Sequence, residues 1–193
     1  MTTPTRRRIG RPTDPDLTRR LLDAAAQLLA EYGSERCTID AVAEFAGAGK
    51  AGLYRRWPSR EDFLAAVLAD ALAAPVTYPE PRTPAGDLAA LLAARVTGRA
   101  GSVSAALLSL IGPVESIREA WNHARRQTFA AVVDLAATHR LPISGGELAH
   151  AVEQLAAWHL VDALAHAGRR PDAETIARDV ADVLAPLAEL ATA

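Results

Sequence analysis

Residues 38–57 read Thr-Ile-Asp-Ala-Val-Ala-Glu-Phe-Ala-Gly-Ala-Gly-Lys-Ala-Gly-Leu-Tyr-Arg-Arg-Trp, and this stretch decides the fold. Thr38 carries the side chain of a helix N-cap, with an oxygen that accepts from a first-turn amide. Ile39, Val42, Ala43 and Ala46 follow at helical spacing and give a short apolar face. Gly47 and Gly49 bracket a tight turn. A further short helix runs from about Lys50 to Trp57, and Pro58 ends it. Two short helices across a glycine-containing turn, after a longer helix, make a helix-turn-helix. The second helix of such a pair lies in the major groove of duplex DNA, its N-terminal residues nearest the bases.

Working outward, Asp14 and Pro15 start a longer first helix, a capping side chain followed by Pro at the first helical position. Leu17, Leu21, Leu22, Ala25, Leu28 and Leu29 recur at helical spacing, and Gly33 closes the helix. Ser59 with Asp62 forms a capping box opening a fourth helix to about Ala74. Residues 75–86 contain Pro75, Pro79, Pro81, Pro84 and Gly86, and read as a linker between two halves. Beyond them helices are predicted at about 87–100, 102–111, 116–139, 145–167 and 173–191, with Ser116–Glu119 and Ser144–Glu147 as capping boxes and Asp172 capping the last. The predicted organisation is a basic tail (1–12), a DNA-binding domain (13–75), a Pro-rich linker (76–86) and a helical C-terminal domain (87–193).

Composition agrees with an all-α fold. Half of the 193 residues are hydrophobic, with only three each of Phe, Tyr and Trp; Ala and Leu dominate, and both enter helices at little cost. No apolar run reaches the eighteen residues of a membrane span. The basic N-terminus has no apolar segment behind it, so it does not read as a secretory signal. One cysteine, Cys37, excludes an internal disulfide and a thiolate zinc site. These points lead to the expectation of a cytoplasmic protein with no membrane partner. The net charge of −2 hides an asymmetry: residues 1–60 hold eleven Lys or Arg against seven Asp or Glu, and the rest hold ten against sixteen. A basic front suits a polyanion.

Within the helix-turn-helix, Lys50 and Arg55 can reach bases or phosphates, and Tyr54 can donate its hydroxyl to a phosphate. Thr38 sits at a helix N-terminus, where amides favour an anion, and Arg60 sits at the next helix start. Lys50 is the only lysine in the chain. Ile39, Val42, Phe45, Ala46, Gly47, Lys50, Leu53, Tyr54, Trp57, Ser59, Arg60 and Phe63 fall where the DNA-binding domain of the TetR family has its signature, and residues 14–75 resemble that domain. The resemblance implies three helices in a DNA-binding head, a connecting fourth, and about five more in a ligand-binding and dimerisation domain, nine in all. It implies phosphate contacts at Thr38, Tyr54 and Arg60, and groove contacts from Lys50, Ala51 and Arg55. Gly52, Arg56 and Trp57 complete the expected DNA-facing segment. Gly52 stands where the family usually has Thr or Ser, and Ala48 where it often has Val. Arg6, Arg7, Arg8 and Arg11 could enter the adjacent minor groove, or serve as a solubilising tail.

The C-terminal half carries less specific signals. Leu148, Val152, Leu155, Leu160 and Leu164, then Ile176, Val180, Val183, Leu184 and Leu187, form stripes suited to a homodimer interface or to the chain's own core. Bulky residues gather in the middle helices: Leu107, Leu108, Ile111, Trp121, Phe129 and Trp158. His123, Gln127, His159 and Asp162 lie among them. An apolar cavity with a few polar groups suits a small-molecule effector, so these large residues, with His159 and Asp162, are the candidate ligand site. His159, Asp162 and His166 have helical spacing that could seat a metal, but a histidine at a helix contact is commoner, and no metal or cofactor is expected. An enzyme using His159 and Asp162 is the remote alternative, since no nucleophile motif or phosphate loop accompanies them. The leading expectation is a repressor that leaves its DNA operator when an effector binds. A ligand-independent DNA-binding regulator is the closer alternative.

Overall fold

The computed structural model describes residues 15–141, 144–165 and 172–190, and among these the regular structure is helical throughout. The nine described helices are α1 (Pro15–Arg36), α2 (Ile39–Phe45), α3 (Lys50–Tyr54), α4 (Arg60–Leu72), α5 (Pro84–Val96), α6 (Gly98–Ile111), α7 (Glu115–Thr138), α8 (Gly145–Ala165) and α9 (Ala173–Leu190). The basic tail with Arg6, Arg7, Arg8 and Arg11, and His166, lie outside the described residues.

Several ends follow the chemistry read from the sequence. Gly33 takes φ +76°, a conformation other residues rarely adopt, and interrupts α1. The Thr38 hydroxyl accepts from the amide of Ala41 at 3.2 Å, Ser59 from Asp62 at 3.0 Å, and Ser144 from Glu147 at 3.2 Å. Asp172 accepts from the amide of Thr175 at 2.8 Å. Other ends differ. Ser116 lies inside α7, whose N-cap is Val114. The helix expected from residue 87 begins at Pro84. Thr83 caps it through the amide of Gly86 at 3.0 Å, and Pro84 fills a first-turn position where no amide donor is needed. Thus the last proline of the Pro-rich stretch starts a helix. The expected helix across 87–100 is broken at Thr97, which is extended, and at Gly98, with φ +52°.

Packing divides into two apolar clusters, and the first crosses the expected linker. Leu21, Leu29, Val42 and Leu53 of α1–α3 share a core with Phe63, Leu64 and Leu68 of α4, with Val103 and Leu107 of α6, and with Ile117 of α7. The second cluster joins Leu88, Leu91 and Leu92 of α5 to Val132 of α7, Leu148 and Val152 of α8, and Ile176 and Val180 of α9. The stripes suited to a second copy or to the chain's own core therefore cover α5 and α7 at Leu148, Val152, Ile176 and Val180; the side chains of Leu160, Leu164, Val183 and Leu187 lie outside the described part. Leu155 and Leu184 are half-buried against the same cluster. A charged network closes the head on the body from outside: Arg99 of α6 binds Asp23 of α1 and, at 2.7 Å, Asp70 of α4, and Arg19 bridges the same two carboxylates.

The segment before α5 is tied down by one buried carboxylate. Asp87 is wholly buried. It accepts from Arg82 Nε at 2.7 and 2.9 Å and lies 2.8 Å from His139 Nε2 at the end of α7. The Arg82 guanidinium stacks 4.3 Å over the Tyr78 ring. Burial pushes the Asp87 carboxyl up, but the hydrogen bonds from Arg82 and His139 outweigh it and hold the carboxyl below its ordinary range. The unfolded chain therefore takes up this proton at higher pH than the fold does. The contribution to stability is complete above the unfolded value, about 3.9, and is lost as pH falls through the lower folded value. Asp87→Asn is expected to melt well below the parent at pH 6, with the gap narrowing at pH 3; a gap equal at both pH values would refute this role.

Candidate nucleic-acid interface and effector cavity

The helix-turn-helix is built from the core outward. Ile39, Val42 and Ala43 bury one side of α2, and Leu53 buries one side of α3. The turn between them is closed by the amide of Ala48 on the carbonyl of Ala43 at 2.8 Å, with Gly47 at φ +61°. What remains outside is Thr38 just before α2, then Lys50, Ala51 and Tyr54 on α3 and Arg55 at its C-terminal cap, all exposed. Tyr54 is 53% exposed, so its ring stands clear of the core and its hydroxyl is free to meet a phosphate. Lys50 Nζ lies 2.7 Å from Asp40 across the turn, both side chains mostly in water. Such an exposed pair contributes at most about 1 kcal/mol, so a phosphate can displace the carboxylate.

Four residues of the expected DNA-facing segment are otherwise engaged. Gly52 is buried; its amide donates to the carbonyl of Gly49 at 2.8 Å and its own carbonyl accepts from Arg56 at 2.9 Å, so both backbone groups are paired within the chain. A Cβ there would meet only ordinary contacts, beginning with Leu17 Cδ2 at 3.6 Å, so space does not demand glycine. Arg56 turns inward, its Nε donating to Thr18 of α1 at 2.9 Å. Trp57 packs against Phe63, ring centres 4.8 Å apart and planes tilted by 56°. Arg60 donates to the carbonyls of Cys37 (3.2 Å) and Ser34, pinning the α1–α2 connection to the start of α4. Cys37 is buried, and burial pushes its thiol up to about 11 against an opposing pull from Arg60.

The C-terminal half holds a cavity of about 380 Å³ between α4, α5, α7 and α8, within the roughly 300–1,000 Å³ of small-molecule sites. Leu72, Leu92, Val96 and Trp121 supply apolar wall, and Arg95, Arg125, Thr128, His150 and Glu153 the polar part. Of the expected ligand residues only Trp121 lines it. Leu107 is in the head–body core, and Leu108, Ile111 and Phe129 are half-buried elsewhere. Trp158 is 64% exposed on the outer face of α8, so it walls no cavity. His159 is buried, 3.2 Å from Asp179 of α9, a contact between helices. Asp162 lies on α8, but its side chain is outside the described part. His123 and Gln127 point to solvent. Among the described residues no group of three or more His, Cys, Asp or Glu could hold a metal, and no helix is long and apolar enough to cross a membrane. Arg95 escaped notice because nothing in the sequence separates a cavity arginine from a solvated one.

A helix-turn-helix head with Lys50 and Arg55 exposed, joined to a helical body with a cavity, is the architecture of a DNA-binding regulator. The family model for bacterial regulatory proteins of the tetR family matches residues 21–67, spanning the helix-turn-helix. An HTH-type transcriptional regulator of Mycobacterium tuberculosis is 29% identical over 185 residues, 91% of this chain and 92% of the relative. A transcriptional regulator from Rhodococcus sp. Rha1 shares the fold, with TM-score 0.70 and 18% identity over 89% of this chain and 96% of its own. So does a transcriptional regulator from Saccharomonospora viridis, solved in complex with choline: TM-score 0.67, 18% identity, the same coverage. Residues 21–67 thus match the tetR family, and over nine-tenths of its length the chain is similar to HTH-type transcriptional regulators.

The inward turn of Arg60 separates it from the exposed cations. Arg60→Ala leaves two carbonyls without their charged donor and is expected to cost about 1.5–3 kcal/mol of folding stability, read from urea unfolding. A variant as stable as the parent would return Arg60 to the surface and to DNA.

Proposed function

We propose that the chain is a homodimeric repressor that leaves its operator when a small molecule occupies the cavity. The observation that carries this is the placement of α4. Its last residue, Leu72, lines the cavity, and its first, Arg60, holds the α1–α2 connection of the head. Thirteen residues of helix, about 20 Å long, link the two sites. A ligand that binds two arrangements of α4 unequally shifts the head between them. The neighbour solved with choline supports a body able to take small molecules. In this reading residues 13–75 form the DNA-binding unit, 76–86 the connection and 87–193 the effector and dimer unit. Working on DNA, the protein belongs in the bacterial cytoplasm.

The DNA-contacting residues in this reading are Lys50, Ala51 and Tyr54 on α3, Arg55 at its C-terminal cap, and Thr38 just before α2. Lys50→Ala and Tyr54→Ala are each expected to weaken binding to duplex DNA from the protein's own upstream region by about 1–3 kcal/mol. Fluorescence anisotropy at fixed salt measures it, and unchanged titrations for both variants would overturn the assignment.

One recognition helix reads too few base pairs, since each good contact contributes about 1–3 kcal/mol; a second copy doubles the readout. With Leu148, Val152, Ile176 and Val180 turned inward, the outer face of α8 is the surface proposed for a second copy. Trp158 and Val161, one turn apart, are 64% and 54% exposed. In the dimer reading a second copy covers them. Trp158→Glu is expected to shift the species seen in sedimentation velocity from dimer to monomer while helix content stays constant. A variant still wholly dimeric would move the interface elsewhere.

A further inference from the structure

The cavity wall carries a charge that the chain itself does not neutralise. Arg95 reaches the cavity from α5. Its Nε donates to the Thr128 hydroxyl at 2.9 Å, while NH1 is shielded from water and has no hydrogen-bond partner. No carboxylate among the described residues lies within ion-pair distance of it. The other cation at the wall is satisfied: Arg125 grips Glu153 with Nε at 2.7 Å and a second amino group at 3.2 Å. That pair also occupies the cavity's one carboxylate, and His150 stands mostly in water at the rim. The cavity thus carries one uncompensated positive charge beside an apolar wall of Leu72, Leu92, Val96 and Trp121.

A half-buried guanidinium without a counter-charge is costly, because desolvation penalises the charged form and nothing repays it. Burial accordingly pulls the Arg95 guanidinium below its ordinary range, and only the nearby Tyr78 hydroxyl opposes this. Arginine's charge is delocalised over the whole planar guanidinium. An acid at the edge lining the cavity therefore neutralises the whole group.

Taking the effector reading above as its basis, we infer that the ligand of this cavity is a small monoanion with an apolar body, its acidic group held by Arg95 and its body lying against Trp121 and the leucines. The neighbour's choline is a cation, opposite in charge to the ligand inferred for this chain.

Three probes of one body and different heads test this by calorimetry on the full chain: octanoate, 1-octanol and octylammonium. Octanoate is expected to bind at least tenfold more tightly than octanol, and octylammonium most weakly. Arg95→Met keeps the side chain's length and removes its charge. It is expected to abolish the preference for octanoate and to leave the unliganded protein at least as heat-stable as the parent, whereas Arg95→Lys keeps the preference. Octanol or octylammonium binding as well as octanoate would leave a ligand cavity standing but overturn the anion assignment, as would a preference that survives Arg95→Met. Binding of none of the three would remove the cavity from ligand binding, and this inference with it.

Discussion

The burial of α4 on nearly every side is the constraint on which the rest of the structure depends. Phe63, Leu64, Ala65, Val67, Leu68, Ala71 and Leu72 are all buried, seven of its thirteen residues. A helix apolar around most of its circumference belongs to a core rather than to a surface. Here that core has two sources: α1 and the helix-turn-helix on one side, α6 and α7 on the other. The head therefore does not swing on a free linker. It shares its packing with the body, and Arg99 clasps Asp23 and Asp70 across the same joint.

The positive side chains of the head divide along the same line. Arg56 and Arg60 spend their charge on Thr18, Gly52, Ser34 and Cys37, fixing α3 and α4 against α1. Lys50 and Arg55 stay outside. The planar, multi-donor guanidinium suits bridging to several fixed acceptors, and the flexible ammonium suits a mobile phosphate. The only lysine in the chain stands at the start of α3, held by a single exposed carboxylate that competes weakly.

Local chemistry was legible in the sequence wherever one residue sets one backbone conformation. Thr38, Ser59, Ser144 and Asp172 cap as expected, and Gly33 breaks α1, because each acts within three or four residues of itself. Side-chain direction on a short helix was not. Lys50, Gly52, Tyr54 and Arg56 look equally available in sequence, yet Gly52 and Arg56 turn into the head. The same holds for the long helices: a periodic stripe on α8 says that one face is apolar, not which neighbour covers it, and Leu148 and Val152 turned toward α5 and α7. The cavity was least visible. Its lining comes from four helices, and Leu72, Arg95, Trp121 and Glu153 become neighbours only through tertiary packing.

A continuous core also limits how an effector can act. A ligand shifts a two-state equilibrium only by its difference in affinity for the two states, typically about 1–3 kcal/mol of coupling. Unfastening the head from α6 and α7 would expose Leu107, Val103 and Ile117, each fully buried, at about 1.5–3 kcal/mol per side chain. Their sum exceeds what such a ligand supplies. For the proposed mechanism this leaves a rigid tilt in which α4 and the head move together with the parts of α6 and α7 packed on them. In the proposed dimer the two recognition helices sit about 34–36 Å apart to fit successive major grooves, and a tilt at Leu72, carried the length of α4 and through both heads, would change that separation.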